Sequence, residues 1–110
     1  MIQDSMPTMA EQTEVVSDQS VQTTHKPPHM WDVVFYNDNK TFYEFVILVL
    51  MQLFGKSYEQ AAELTNQIHD EGKRAVATYT YEIAQSKKDE TVTLARANGH
   101  PLRVELEPQE

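Results

Sequence analysis

Two hydrophobic rhythms alternate along the chain from Trp31 onward, and each predicts its element. Trp31–Tyr36 (WDVVFY) gathers β-branched and aromatic residues and reads as a strand. Asn37-Asp38-Asn39-Lys40 is a turn-forming cluster, and Thr41 with Glu44 has the spacing of a capping box, so a helix should begin at about Phe42. Its body, Phe45–Phe54, is apolar on nearly every face but far shorter than the roughly 20 residues of a membrane span, which makes it a core helix ended by Gly55. Ser57 and Gln60 repeat the capping box for a second helix. That helix carries Ala61, Leu64, Thr65 and Ile68 at i, i+3, i+4 and i+7, and Gly72 stops it. Arg74–Thr80 alternates as a half-buried strand, with Ala75, Ala77 and Tyr79 on one face and Val76 and Thr78 on the other. Thr80 can cap a third helix that runs through Ile83, Ala84 and Leu94 to Asn98-Gly99. Leu102, Val104 and Leu106 then share one face of a last strand.

The order is β-α-α-β-α-β, which predicts a small α+β fold: a three-stranded antiparallel sheet packed on three helices that lie on one side of it. No internal repeat is present. All ten aromatic residues lie between Trp31 and Tyr81, so residues 1–28 have nothing with which to join a core. That segment sets Asp4, Glu11, Glu14 and Asp18 against Lys26 alone and ends at Pro27-Pro28, the composition of a flexible N-terminal extension. The division is therefore 1–28 as an arm and 29–110 as the folded domain.

Charge narrows the function. The 110 residues hold 17 acidic and 9 basic side chains, a formal net charge of −8. Three of those negative charges fall on the arm and five on the domain. Such a surface repels phosphate backbones and anionic lipid, which argues against nucleic acid and membranes as partners. With no cysteine there is neither a disulfide framework nor a thiol nucleophile, and Met1–Ala10 has no secretory pattern, so a cytoplasmic location follows by default. A domain of about 80 residues buries only roughly 60% of its unfolded surface, which favours a binding module over an enzyme with a deep cleft.

None of HExxH, GxSxG or GxxxxGK[ST] occurs. Asn37–Thr41 begins like a calcium loop, but position six is Phe42 and position twelve Leu48. The four histidines, at 25, 29, 69 and 100, are scattered, so neither a metal site nor a cofactor is expected. His69 stands out because it follows Ile68 beside the apolar stripe of the second helix, where a half-buried neutral imidazole can make one directed hydrogen bond.

Three segments taken in order carry a resemblance. Val34-Phe35-Tyr36-Asn37-Asp38-Asn39-Lys40-Thr41 with Glu44-Phe45-Val46, then Ile68-His69-x-x-Gly72-Lys73, then His100-Pro101-Leu102, resemble the ClpS adaptor family without gaps from about Pro27 to Glu107. The resemblance implies a non-enzymatic, monomeric adaptor. Such a protein binds substrates whose exposed first residue is destabilising, typically Leu, Phe, Tyr or Trp, and hands them to the N-terminal domain of a ClpA- or ClpC-type AAA+ unfoldase. A free chain terminus is an ammonium group beside one side chain, so its receptor needs hydrogen-bond acceptors next to an apolar socket. Asn37, Asp38 and His69 are the implied amine site. Thr41, Tyr43, Val46, Thr65, Ile68 and Leu102 are the implied socket. Glu82 and Lys87 on the third helix are the implied unfoldase contact, and the arm would serve handover.

This sequence also departs from the family pattern. Asn39 stands where a second Asp is usual, and Tyr43 and Thr65 stand where Met is common. Thr is shorter than Met and β-branched, so a roomier socket that accepts bulky or β-branched first residues is expected. The departures also leave room for an alternative, a relative that docks on the unfoldase and inhibits or redirects it without binding N-terminal residues. A rival of another class, a small hydrolase using Asp38 and His69 as an acid–base pair, lacks an accompanying nucleophile or metal set.

Overall fold

In a computed structural model that describes residues 29–109, six elements follow the expected order. They are β1 (Met30–Tyr36), α1 (Tyr43–Gln52), α2 (Tyr58–Glu71), β2 (Lys73–Thr80), α3 (Tyr81–Ala97) and β3 (Arg103–Pro108). The expected arm, residues 1–28, lies outside the described residues. No helix among the described residues is long and apolar enough to cross a membrane.

The strands form one antiparallel sheet in the order β2-β1-β3. The central strand is the one whose sequence is most continuously apolar, and Val33, Val34 and Phe35 are all buried. Val33 and Phe35 join Val76 and Val104 from the flanking strands in one cluster with Phe45, Val49, Leu50, Ala61, Ile68, Ala84 and Ala95 from the three helices. On the alternate positions of β1, Asp32 accepts a hydrogen bond from Thr78 Oγ1 at 2.6 Å, and the Tyr36 ring lies beneath the Lys73 and Arg103 cations.

Local signals succeeded where nothing competed with them. Ser57 forms a complete capping box with Gln60, the hydroxyl accepting from the Gln60 N–H at 3.1 Å and the Gln60 side chain accepting from the Ser57 N–H at 3.1 Å. Gly72 ends α2 at φ +89°, a left-handed conformation open to glycine at little steric cost, and its N–H reaches the Ile68 carbonyl.

Three expectations need correction. The Thr41–Glu44 box does not form: α1 starts at Tyr43 with Phe42 as N-cap and no side-chain cap bond, because Asp38 has captured both the N–H and the hydroxyl of Thr41. Thr80 caps α3 by position but makes no side-chain cap bond. The simple alternation of β2 is broken by a bulge opposite Val33 and Val34, which turns Val76 inward as well as Ala77 and Tyr79 and leaves Ala75 exposed. The first helix is the core helix expected, with Phe45, Val46, Ile47, Val49 and Leu50 buried and Leu48 and Met51 facing solvent.

Candidate functional site

The turn between β1 and α1 is built around one carboxylate. Asp38 Oδ1 accepts the backbone N–H groups of Lys40 at 2.8 Å and Thr41 at 2.7 Å, and Oδ2 accepts the Thr41 hydroxyl at 2.8 Å. This is the arrangement that Asp favours in tight turns, and it leaves acceptor capacity on Oδ2. Partial burial pushes the Asp38 carboxyl up. The two N–H bonds, the Thr41 hydroxyl and the field of His100 outweigh it, so the group sits below its usual 3.8 and is charged at neutral pH.

The same turn is tied to the far end of α2. The Asn37 N–H donates to the Gly72 carbonyl at 2.8 Å, which brings the last turn of α2, and with it His69, beside Asn37 and Asp38. A cavity of about 250 Å³ opens there. Asn37, Asp38, His69 and Thr41 border it on the polar side, and Tyr43, Val46, Thr65, Ile68 and Leu102 on the apolar side. All nine amine-site and socket residues named from the sequence therefore meet in one place. Tyr36 borders it as well, which the sequence reading did not include. The cavity lies below the range of roughly 300–1,000 Å³ typical of small-molecule sites, a size that suits a single side chain better than a cofactor.

Its floor is firm. Val46, Thr65, Ile68 and Leu102 are all buried. The Thr65 hydroxyl donates to the Ala61 carbonyl of its own helix at 2.7 Å, which fixes the side chain and satisfies its polar atom. Leu102 is held from behind by Arg96, whose guanidinium donates to the carbonyls of His100 at 3.0 Å and Leu102 at 2.9 Å. The His100 ring packs against Phe45 and Phe42 with centroids 4.5 and 5.0 Å away. Arg96 was not foreseen: a lone arginine at a helix end gives no sign of which distant carbonyls it will reach.

One further expectation changes. His69 is exposed at the rim instead of half-buried in the apolar stripe, so its ring is open to an incoming group. Glu82 and Lys87 lie on α3, outside the cavity. Glu82 is exposed in the first turn, whereas Lys87 is partly occupied, its ammonium donating to the Leu53 carbonyl at the end of α1 at 2.7 Å.

The fold and cavity define a small α+β domain whose chemistry is gathered in one acid-rimmed, apolar-floored socket. The chain belongs to the ClpS family of adaptors of the ATP-dependent Clp protease, whose family model matches residues 26–105. It is 40% identical over 94 residues to the ClpS adapter of Albidiferax ferrireducens, covering 86% of this chain and 78% of that one. It is 42% identical over 82 residues to the ClpS adapter of Burkholderia cenocepacia, covering 74% and 79%. Among solved structures it resembles Agrobacterium tumefaciens ClpS2 bound to L-phenylalaninamide. The TM-score is 0.73 at 30% identity, with 76% of this chain and all of that one covered.

Proposed function

We propose that this adaptor captures the free α-amino group and bulky apolar first side chain of its substrates, and delivers them to a ClpA- or ClpC-type AAA+ unfoldase as a cytoplasmic monomer. The observation that carries the reading is the juxtaposition, in one cavity, of a charged carboxylate with an apolar floor. Asp38 Oδ2, the Asn37 amide oxygen and the exposed His69 ring receive the ammonium N–H groups. Val46, Ile68 and Leu102 take the side chain, whose burial is worth roughly 1.5–3 kcal/mol. L-Phenylalaninamide, the ligand of the structural relative, carries the same two features, a free amine and an apolar side chain on a blocked carboxyl.

In this reading the exposed Glu82 meets the N-terminal domain of the unfoldase. Lys87 supports that face, partly through its bond to Leu53. Residues 1–28 serve handover.

Delivery is tested by reconstitution. A fluorescent reporter beginning with Phe is mixed with a ClpA- or ClpC-type unfoldase and its peptidase, with and without this chain. The chain is expected to accelerate loss of the Phe reporter and to leave a Gly-initiated reporter unchanged. Glu82→Lys should abolish the acceleration while peptide affinity stays intact. Equal rates for the Phe reporter with and without the chain would contradict delivery.

A further inference from the structure

We infer that Asn66, a residue outside the cavity, sets the selectivity of the socket by latching Tyr43 into a fixed flat wall, so that aromatic first side chains are preferred over aliphatic ones. The inference rests on the reading of the cavity as a first-residue socket. Tyr43 opens α1 and borders the cavity, and its hydroxyl donates across to Asn66 Oδ1 on α2 at 2.5 Å. Tyr43 is 42% exposed, so without that bond its ring would be a surface side chain free to swing away from the mouth.

The two unusual residues of the socket act together. Thr65 is short and pinned to the Ala61 carbonyl, so it leaves depth. Tyr43 stands as a planar wall at the side. The room left by Thr65 would by itself admit the β-branched chains expected from the sequence, but with Tyr43 as a flat wall the socket fits a ring better than a branched aliphatic chain. Aromatic pairs in offset or edge-to-face contact gain affinity beyond their buried area, a factor of roughly 2 to 12 in binding. That gain requires the wall to be in place beforehand, because a ring that must be immobilised on binding gives part of it back. The bond is an exposed neutral one, so its effect is a bias toward the closed ring and not an absolute lock.

Two peptides that differ only in their first residue, Phe or its saturated isostere cyclohexylalanine, separate aromatic contact from simple burial. Titrated by fluorescence anisotropy, the wild-type chain should favour Phe by roughly 2- to 12-fold. Tyr43→Leu should bring the ratio to near one. Asn66→Leu and Tyr43→Phe should each lower it by a similar factor, and the double variant should lower it no further than either alone. Asn66→Asp, which keeps an acceptor for the phenol, should preserve the preference. A full Phe preference in Asn66→Leu, or no preference in the wild-type chain, would overturn the latch while leaving the socket reading standing. Failure of both peptides to bind, or equal binding of their Nα-acetylated forms, would overturn the socket reading and the latch with it.

Discussion

Replacing Asp38 by Ala is expected to weaken binding of a Phe-initiated peptide by roughly 10- to 150-fold, the loss of one charge-assisted hydrogen bond of about 1.5–3 kcal/mol. The same change removes the acceptor for three hydrogen bonds that hold the turn, so the domain itself should melt several degrees lower. Asp38→Asn separates the two effects. Its amide oxygen can still accept the Lys40 and Thr41 N–H groups, and the Thr41 hydroxyl can rotate to accept from the amide nitrogen, so the turn should survive while the charge is gone. Thermal melting near the wild-type value together with a large loss of affinity is the expected result for Asn. Undiminished affinity in Asp38→Asn would show that the charge is not what binds. Because its native carboxyl is held below 3.8, the stabilising contribution of Asp38 is complete above that value and is lost only as pH falls through the lower native one. Asp38 therefore gives no pH dependence between pH 5 and 8.

The second large effect is expected at Leu102, where fold and socket share one side chain. Leu102 is only 2% exposed, a member of the core cluster that also forms part of the cavity floor. Leu102→Ala should cost about 2–5 kcal/mol through lost burial and the void left behind, a large fraction of the roughly 5–15 kcal/mol that holds a domain together. For a domain of this size that lowers the melting temperature by roughly 8–40 °C. Leu102→Met, nearly equal in volume, should cost less than about 1.5 kcal/mol. Calorimetry or circular dichroism melting reads both. A melting temperature in Leu102→Ala within a few degrees of the wild-type value would mean that the residue is less tightly packed than its burial indicates.

The sequence made a good part of this legible, for a definable reason. The amine-site and socket residues that border the cavity were named through the resemblance to the ClpS family; what the local signals supplied was their placement on elements, through the uninterrupted strand before Asn37, the Ser57–Gln60 box, and the helical spacing of Thr65 and Ile68. Where two local signals competed for the same atoms, reading along the chain chose wrongly. Thr41 has the spacing of a cap with Glu44, but Asp38 lies three residues upstream, and its carboxylate takes the Thr41 N–H that the Glu44 carboxylate would have accepted and binds the hydroxyl as well. The bulge in β2 falls within Ala-Val-Ala, where no glycine or polar residue marks it. Arg96 holding the His100 and Leu102 carbonyls, and Tyr43 bonded to Asn66, are contacts between side chains that carry no signal until the helices are placed. The exposure of His69 had the same origin: its neighbour Ile68 faces inward, and one step of about 100° along the helix puts it at the rim.

The central claim is that the chain reads a free amine and an apolar first side chain together. Its most direct test compares a Phe-initiated peptide with its Nα-acetylated twin in fluorescence anisotropy titrations of the full chain. The free peptide should bind with micromolar or tighter affinity and the acetylated one at least 10-fold more weakly, since acetylation removes the positive charge and two of the three N–H donors that face Asn37, Asp38 and His69. Equal affinity for the two peptides would contradict the account.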